Sequence, residues 1–139
     1  MRKLGAGQAN DQISNKNFEI FSEWLNKILD IGLPNSIIAL NFNLYEGAEQ
    51  TYDMQLIGSD EFDENDSDWA CNEIFTTGEN LCYIPRTNEI ANWENGFVAI
   101  KEIINEYLTK GKYANYLKNF TAIGAGFVDG DLEILHLKN

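Results

Sequence analysis

Six carboxylates crowd into nine consecutive positions, Asp60, Glu61, Asp63, Glu64, Asp66 and Asp68, and Trp69 follows them directly. Carboxylates at this density can hold a hard cation, work as an acid–base pair, or meet lysines and arginines on another molecule. Spacing tests the first use. Asp63, Asn65 and Ser67 match the first, third and fifth ligand positions of an EF-hand loop, but Asp68 stands where glycine makes the sharp turn and Ile74 where the bidentate Glu belongs. The second use needs two carboxylates held in fixed geometry. This run has no apolar periodicity to bury it and is expected to form a solvated loop. An acidic metal-binding domain of another kind, or a small enzyme using the carboxylates of residues 60–68, stands as the alternative reading. The preferred reading is the third, contact with a basic partner through these six carboxylates and Trp69. Tryptophan is enriched at interface hot spots. It serves equally as a core anchor for the end of such a loop, so Trp69 carries both expectations.

Other chemistry is thinly provided for. His136 is the single histidine, and any Ser-His-Asp or Cys-His set would have to be built on it. It falls in a predicted strand and is read as an edge-strand side chain. Cys71, Cys82 and His136 offer three soft ligands without C-x-x-C or H-E-x-x-H spacing, which argues against zinc. The run Gly124-Ala125-Gly126 leads to a turn and not into a helix, so it does not read as a phosphate or dinucleotide loop. Its glycines are expected to admit the close approach of a helix. No catalytic residue, cofactor or metal ligand is assigned, and the chain is expected to be non-enzymatic.

Charge narrows the partners. The 139 residues carry 22 acidic and 10 basic side chains, a formal net charge of −12. Phosphate backbones and anionic membrane surfaces repel such a chain, so neither nucleic acid nor membrane is expected to bind it. A cationic protein is attracted, and its association is accelerated. The first residues are basic but no apolar run follows, so no signal peptide is read, and no stretch approaches the roughly 20 apolar residues of a membrane span. The expected compartment is the cytoplasm, with both cysteines as free thiols.

The scaffold for these groups is patterned. Residues 1–16 are polar and aperiodic and read as a flexible N-terminal arm; residues 17–139 read as a single α+β domain. Asn17 is placed as the cap of a helix over 18–31, whose buried stripe is Phe18, Phe21, Trp24, Leu25, Ile28 and Leu29. Gly32 and Pro34 end it. Residues 36–45 alternate, with Ile38, Leu40, Phe42 and Leu44 on one face and Ala39, Asn41 and Asn43 on the other. A second strand over 51–57 makes a hairpin with the first, and 81–84 forms a short strand stopped by Pro85. A second long helix covers 93–110, with Trp93 at the head of its stripe. A short helix over 113–120 and strands over 121–128 and 131–137 complete the chain. Asp129-Gly130 between those strands predicts a type I′ turn, with positive φ at both residues. The expected architecture is a single layer of mainly antiparallel sheet, about four or five strands, packed with two long helices.

Two segments add a resemblance. The stretch Phe62-Asp63-Glu64-Asn65-Asp66-Ser67-Asp68-Trp69-Ala70-Cys71-Asn72-Glu73-Ile74-Phe75 resembles an acidic D-W-A-C segment of small bacterial immunity-type proteins. The ending Gly124-Ala125-Gly126-Phe127-Val128-Asp129-Gly130-Asp131-Leu132-Glu133 is similar to their C-terminal hairpin. Such proteins are encoded beside polymorphic or contact-dependent growth inhibition toxins and block them by binding. The resemblance implies a cytosolic, non-enzymatic inhibitor of a cognate basic toxin domain, a nuclease among the candidates.

Overall fold

The computed structural model describes the backbone of residues 6–139 and the side chains of residues 15–139. Residues 1–5, the start of the expected arm, lie outside the described residues. Helix α1 spans Ala6–Ile31 and so begins eleven residues before the suggested cap. Asn17 lies inside it and is buried. The apolar stripe begins only at Phe18, but helix propagation needs no apolar face, and residues 8–17 contain neither proline nor glycine to stop it. At the other end Gly32 adopts φ +98°, the left-handed turn that glycine tolerates best.

After α1 come strands β1 (Ala39–Glu46), β2 (Thr51–Ser59), β3 (Phe75–Thr76) and β4 (Cys82–Pro85). Helices α2 (Trp93–Lys110) and α3 (Ala114–Leu117) follow, then β5 (Ala122–Phe127) and β6 (Glu133–Leu137). The protein is α+β, and its six strands form one mixed, mostly antiparallel sheet. The order is β3-β2-β1-β5-β6, with β4 also on β2. Both expected hairpins are present: β2 runs antiparallel to β1, and β6 antiparallel to β5. Between the hairpins, β5 lies parallel to β1, from Ala39 opposite Ala122 to Leu44 opposite Phe127.

The alternation of β1 now has a physical meaning on both faces. Leu40, Phe42 and Leu44 join Tyr52, Met54, Leu56, Ile123 and Ala125 beneath α1 and α2. Phe21 of α1 is the hub of that layer. Its ring centroid lies 5.5 Å from Phe42 and 5.8 Å from Tyr107 of α2. The fully buried Tyr52 sends its hydroxyl through the layer to donate to the Asn92 carbonyl at 2.9 Å, fixing the start of α2. Asn92 caps that helix by accepting from the Asn95 N–H at 2.8 Å. The Asp30 carboxylate accepts from the Tyr113 hydroxyl and from Lys112 Nζ, tying the end of α1 to the α2–α3 corner. These two hydrogen bonds hold its carboxyl below the usual range. Trp93 departs from the expected stripe. It is 51% exposed and sits edge-on to Phe127 at the mouth of the layer.

Two readings of the β5–β6 region are corrected. Positive φ occurs among the described residues only at Gly32, Gln50 and Gly78, so Asp129-Gly130 is not a type I′ turn. The connection is wider, over 128–132, because Leu132 is drawn onto the second face of the sheet. The atoms nearest the two glycines of β5, among the described residues, do not belong to a helix. A Cβ on Gly126 would stand 2.6 Å from Leu132 Cα, and one on Gly124 would stand 2.7 Å from Asn41 Oδ1. The close neighbours are the returning β5–β6 connection and a β1 side chain.

Candidate functional site

The second face of the sheet is where the sequence placed its chemistry. Ala39, Asn41, Asn43 and Tyr45 of β1 alternate onto it, beside Ala122, Gly124 and Gly126 of β5. Small residues at one end of this face leave room, and the acidic segment fills it. The chain leaves β2 after Ser59 and returns beside the same place: the Ile74 N–H donates to the Gly58 carbonyl at 2.9 Å, and Phe75 pairs with Gly58. Residues 60–74 are thus an excursion closed at its neck. Inside it Ser67–Cys71 forms one 3-10 turn, with Asp66 as its cap, accepting from the Asp68 N–H at 3.0 Å.

Trp69 belongs to the anchor and not to the exposed surface. It is 3% exposed, packs edge-on to Phe62 at 5.3 Å, and rests on Ala39 and Ala122. The six carboxylates are all exposed. Asp63 Oδ1 accepts from the Asn65 N–H at 2.9 Å, and Asp60 Oδ1 from Asn72 Nδ2 at 2.6 Å. Glu61, Asp63, Asp66 and Asp68 surround one hollow of about 250 Å³ over Phe62 and Trp69; Asp60 and Glu64 stand outside it. Ion pairs among the described residues join Arg86 to Glu46, Lys101 to Glu133, Lys110 to Glu106 and Lys112 to Asp30. None of them reaches this segment. Among the described residues no three His, Cys, Asp or Glu side chains are grouped to hold a metal ion. The arrangement is therefore a dense, outward-facing field of negative charge on a packed base.

Beside it lies a groove that sequence reasoning did not assign. It holds about 350 Å³ and runs between the 67–73 wall and the 128–132 connection. Asn41, Asn43 and Tyr45 floor it, and Asp68, Cys71 and Glu73 line one wall. The floor is wired by amides. Asn41 Nδ2 donates to Asn43 Oδ1 at 2.7 Å, and Asn43 Nδ2 to Gln55 Oε1 at 3.1 Å. Gln55 Nε2 in turn donates to the Gly78 carbonyl at 3.1 Å. The signal for this floor was present in the alternation of β1, which turns two asparagines away from the core. The walls come from residues far away in sequence and gave no such signal.

The two thiols differ sharply. Cys71 is exposed at the groove and Cys82 is buried on β4, and neither is bridged. Burial, with a smaller contribution from the Asp53 carboxylate, pushes the Cys82 thiol up to about 12. Native protein treated with iodoacetamide at pH 8 without reductant should gain one label, at Cys71, and a second only after denaturation. Intact-mass spectrometry reads the count, and two labels on the native protein would contradict the buried position of Cys82.

The chain matches no protein-family model, no curated protein and no solved structure. Among the described residues no helix is long and apolar enough to cross a membrane. The class that fold and surface define is an α+β domain presenting an acidic excursion on one face of its sheet.

Proposed function

We propose that this chain is a non-enzymatic acidic binding protein that neutralises a cognate basic toxin domain, as immunity proteins do. The observation that carries the reading is the acidic excursion: six exposed carboxylates within residues 60–68, outside every ion pair among the described residues, on a base locked by Trp69. Like charges held this close repel one another, and a cationic partner relieves that repulsion. The resemblance of residues 62–75 to immunity-type proteins supports the same reading. A nuclease toxin suits it well, because an acidic surface can cover a phosphate-binding cleft by offering carboxylates in place of phosphates. The proposed place of action is the cytoplasm, where Cys71 and Cys82 stay reduced.

Charge steering gives the test. The variant Asp63→Asn, Glu64→Gln, Asp66→Asn keeps both turn-capping oxygens, since Asn caps as well as Asp. It should fold normally and bind the toxin domain encoded beside it with an association rate about tenfold lower at low salt. Raising salt should slow the wild type far more than the variant, because charges separated by more than about 8 Å are screened at physiological ionic strength. Stopped-flow binding at two salt concentrations measures both effects. Four identical rate constants would remove the excursion from the interface. Absence of binding by the wild type to any neighbouring toxin domain would end the immunity reading.

A further inference from the structure

We propose that the outer edge of β6 pairs antiparallel with β6 of a second copy of this chain, joining two sheets into one across a two-fold axis. The pairing goes beyond the immunity reading and does not depend on it.

The edge is open. β6 ends the sheet, and Leu137 is 41% exposed. An unpaired strand edge is a template for another strand. The phase of its backbone follows from the pairing with β5. The Lys138 N–H donates to the Thr121 carbonyl at 2.9 Å, so Leu137 turns its own N–H and carbonyl outward. Leu137 lies opposite Ala122, and Ile134 opposite Gly124, two residues further along β5. Ile134 therefore shares the outward phase.

The side chains single out a second copy as the occupant. His136 pairs with Ile123 and Ile134 with Gly124, so β6 carries one residue more than β5 at this point. The extra residue breaks the alternation. Leu135 packs on the core beneath the helices, and His136, opposite Ile123, turns to the same side, where its Nε2 lies 2.9 Å from the Lys118 carbonyl oxygen. Ile134 joins the Trp69 cluster on the second face, and Leu137 shares that face with Ala122. Glu133 is again on the helix side, where it meets Lys101 of α2 at 2.8 Å, and Lys138 follows Leu137 back to that side. From 133 to 138 the faces thus run helix, second, helix, helix, second, helix, the same in both directions.

Opposite residues of paired strands must lie on one face of the sheet. This pattern meets that requirement against itself when Glu133 stands opposite Lys138, Ile134 opposite Leu137 and Leu135 opposite His136. The same register sets the two outward-turned residues, Ile134 and Leu137, against each other, so that both such pairs exchange backbone hydrogen bonds. It also sets a carboxylate against an ammonium at each end of the joint. Glu133 spends only Oε2 on Lys101, and no ion pair among the described residues uses Lys138. Bulges and charges ordinarily protect an edge from pairing. Here they are placed so that the edge complements a copy of itself, as a two-fold contact requires. The axis stands perpendicular to the sheet, so both acidic excursions face the same way.

Sedimentation equilibrium of the whole chain between about 1 μM and 1 mM, the weak end of the affinity scale, tests the pairing. Two copies of net charge −12 repel one another, so the ionic strength should be about 0.15 M, where repulsion is screened beyond about 8 Å. The wild type should rise reversibly toward twice the mass of one chain. Glu133→Lys sets lysine against lysine at both ends of the joint, and Lys138→Glu sets glutamate against glutamate. Each should weaken association about tenfold, as like charges directly opposite do, with an unchanged circular dichroism spectrum. An equimolar mixture of the two variants should recover association, because each end then joins unlike charges. A wild type that stays monomeric over the whole range, variants that associate as the wild type does, or a mixture no stronger than its components would overturn the proposal. So would a dimer in which the Ile134 and Leu137 amides gain no protection from hydrogen exchange, since its contact would lie elsewhere.

Discussion

Replacing Trp69 with alanine lowers the stability of the isolated protein by about 3–5 kcal/mol, the range for a large aromatic removed from a core. The indole is the centrepiece of the small cluster on the second face of the sheet, with Ala39 and Ala122 beneath it and Phe62 against its edge. Its neighbours on the sheet are too short to reach into the space it leaves. Half-buried Phe62, Ala70, Leu132 and Ile134 pack against the cluster that it heads, and Phe62 loses its aromatic contact outright. Chemical denaturation followed by far-ultraviolet circular dichroism measures the loss without depending on Trp24 and Trp93 fluorescence. Trp69→Phe should keep part of the stability, since it retains an aromatic contact with Phe62. A midpoint unchanged in Trp69→Ala would mean that the excursion is held by its neck alone.

The second large effect is expected at Gly126. A Cβ there meets Leu132 Cα at 2.6 Å and the Asp131 carbonyl oxygen at 2.7 Å. Both neighbours are backbone and cannot rotate aside. Gly126→Ala therefore pushes the 128–132 connection off the sheet and costs about 1–3 kcal/mol, as overpacking does. The control is four residues away. A Cβ on Gly130 finds nothing nearer than 3.8 Å, and the residue has no positive φ. Gly130→Ala should fall within about 0.5 kcal/mol of wild type. Thermal unfolding of both variants, with amide spectra of residues 128–132, separates a displaced connection from a general loss of order. Equal stability of Gly126→Ala and Gly130→Ala would refute the close contact.

Local signals decided what was legible beforehand. The bounds of α2 were readable because a sustained stripe fills Trp93–Lys110 and Gly111 follows it; the Asn92 cap is visible only in the structure. The faces of β1 were readable because alternation fixes them. Hairpin partners were readable from the short connections, but the meeting of the two hairpins was not, since alternation is silent on which strand lies beside which, and the parallel contact of β1 with β5 joins residues some eighty positions apart. Asp129-Gly130 misled for a related reason. Its turn preference is local, and the burial of Leu132 overrode it. Trp69 carried two readings in the sequence, and only its burial separates them. Only the floor of the groove had a local signal, in the alternation of β1; its two walls come from distant segments and had none.

The closed neck of the excursion has a consequence for how a chain of this kind can change. Between Ser59 and Ile74 the backbone leaves the sheet and returns to one point, and the apolar residues packed against the base are Phe62, Trp69 and Ala70. The exposed letters in between are free to be rewritten: the core does not read them. Length is almost as free, since each doubling of a flexible loop costs only about 0.6 kcal/mol. Recognition can therefore drift from one target to another by exchange of a surface cassette while the fold inherits nothing of the change. Related chains should differ most over residues 60–68 and least at Trp69 and at the two alanines beneath it.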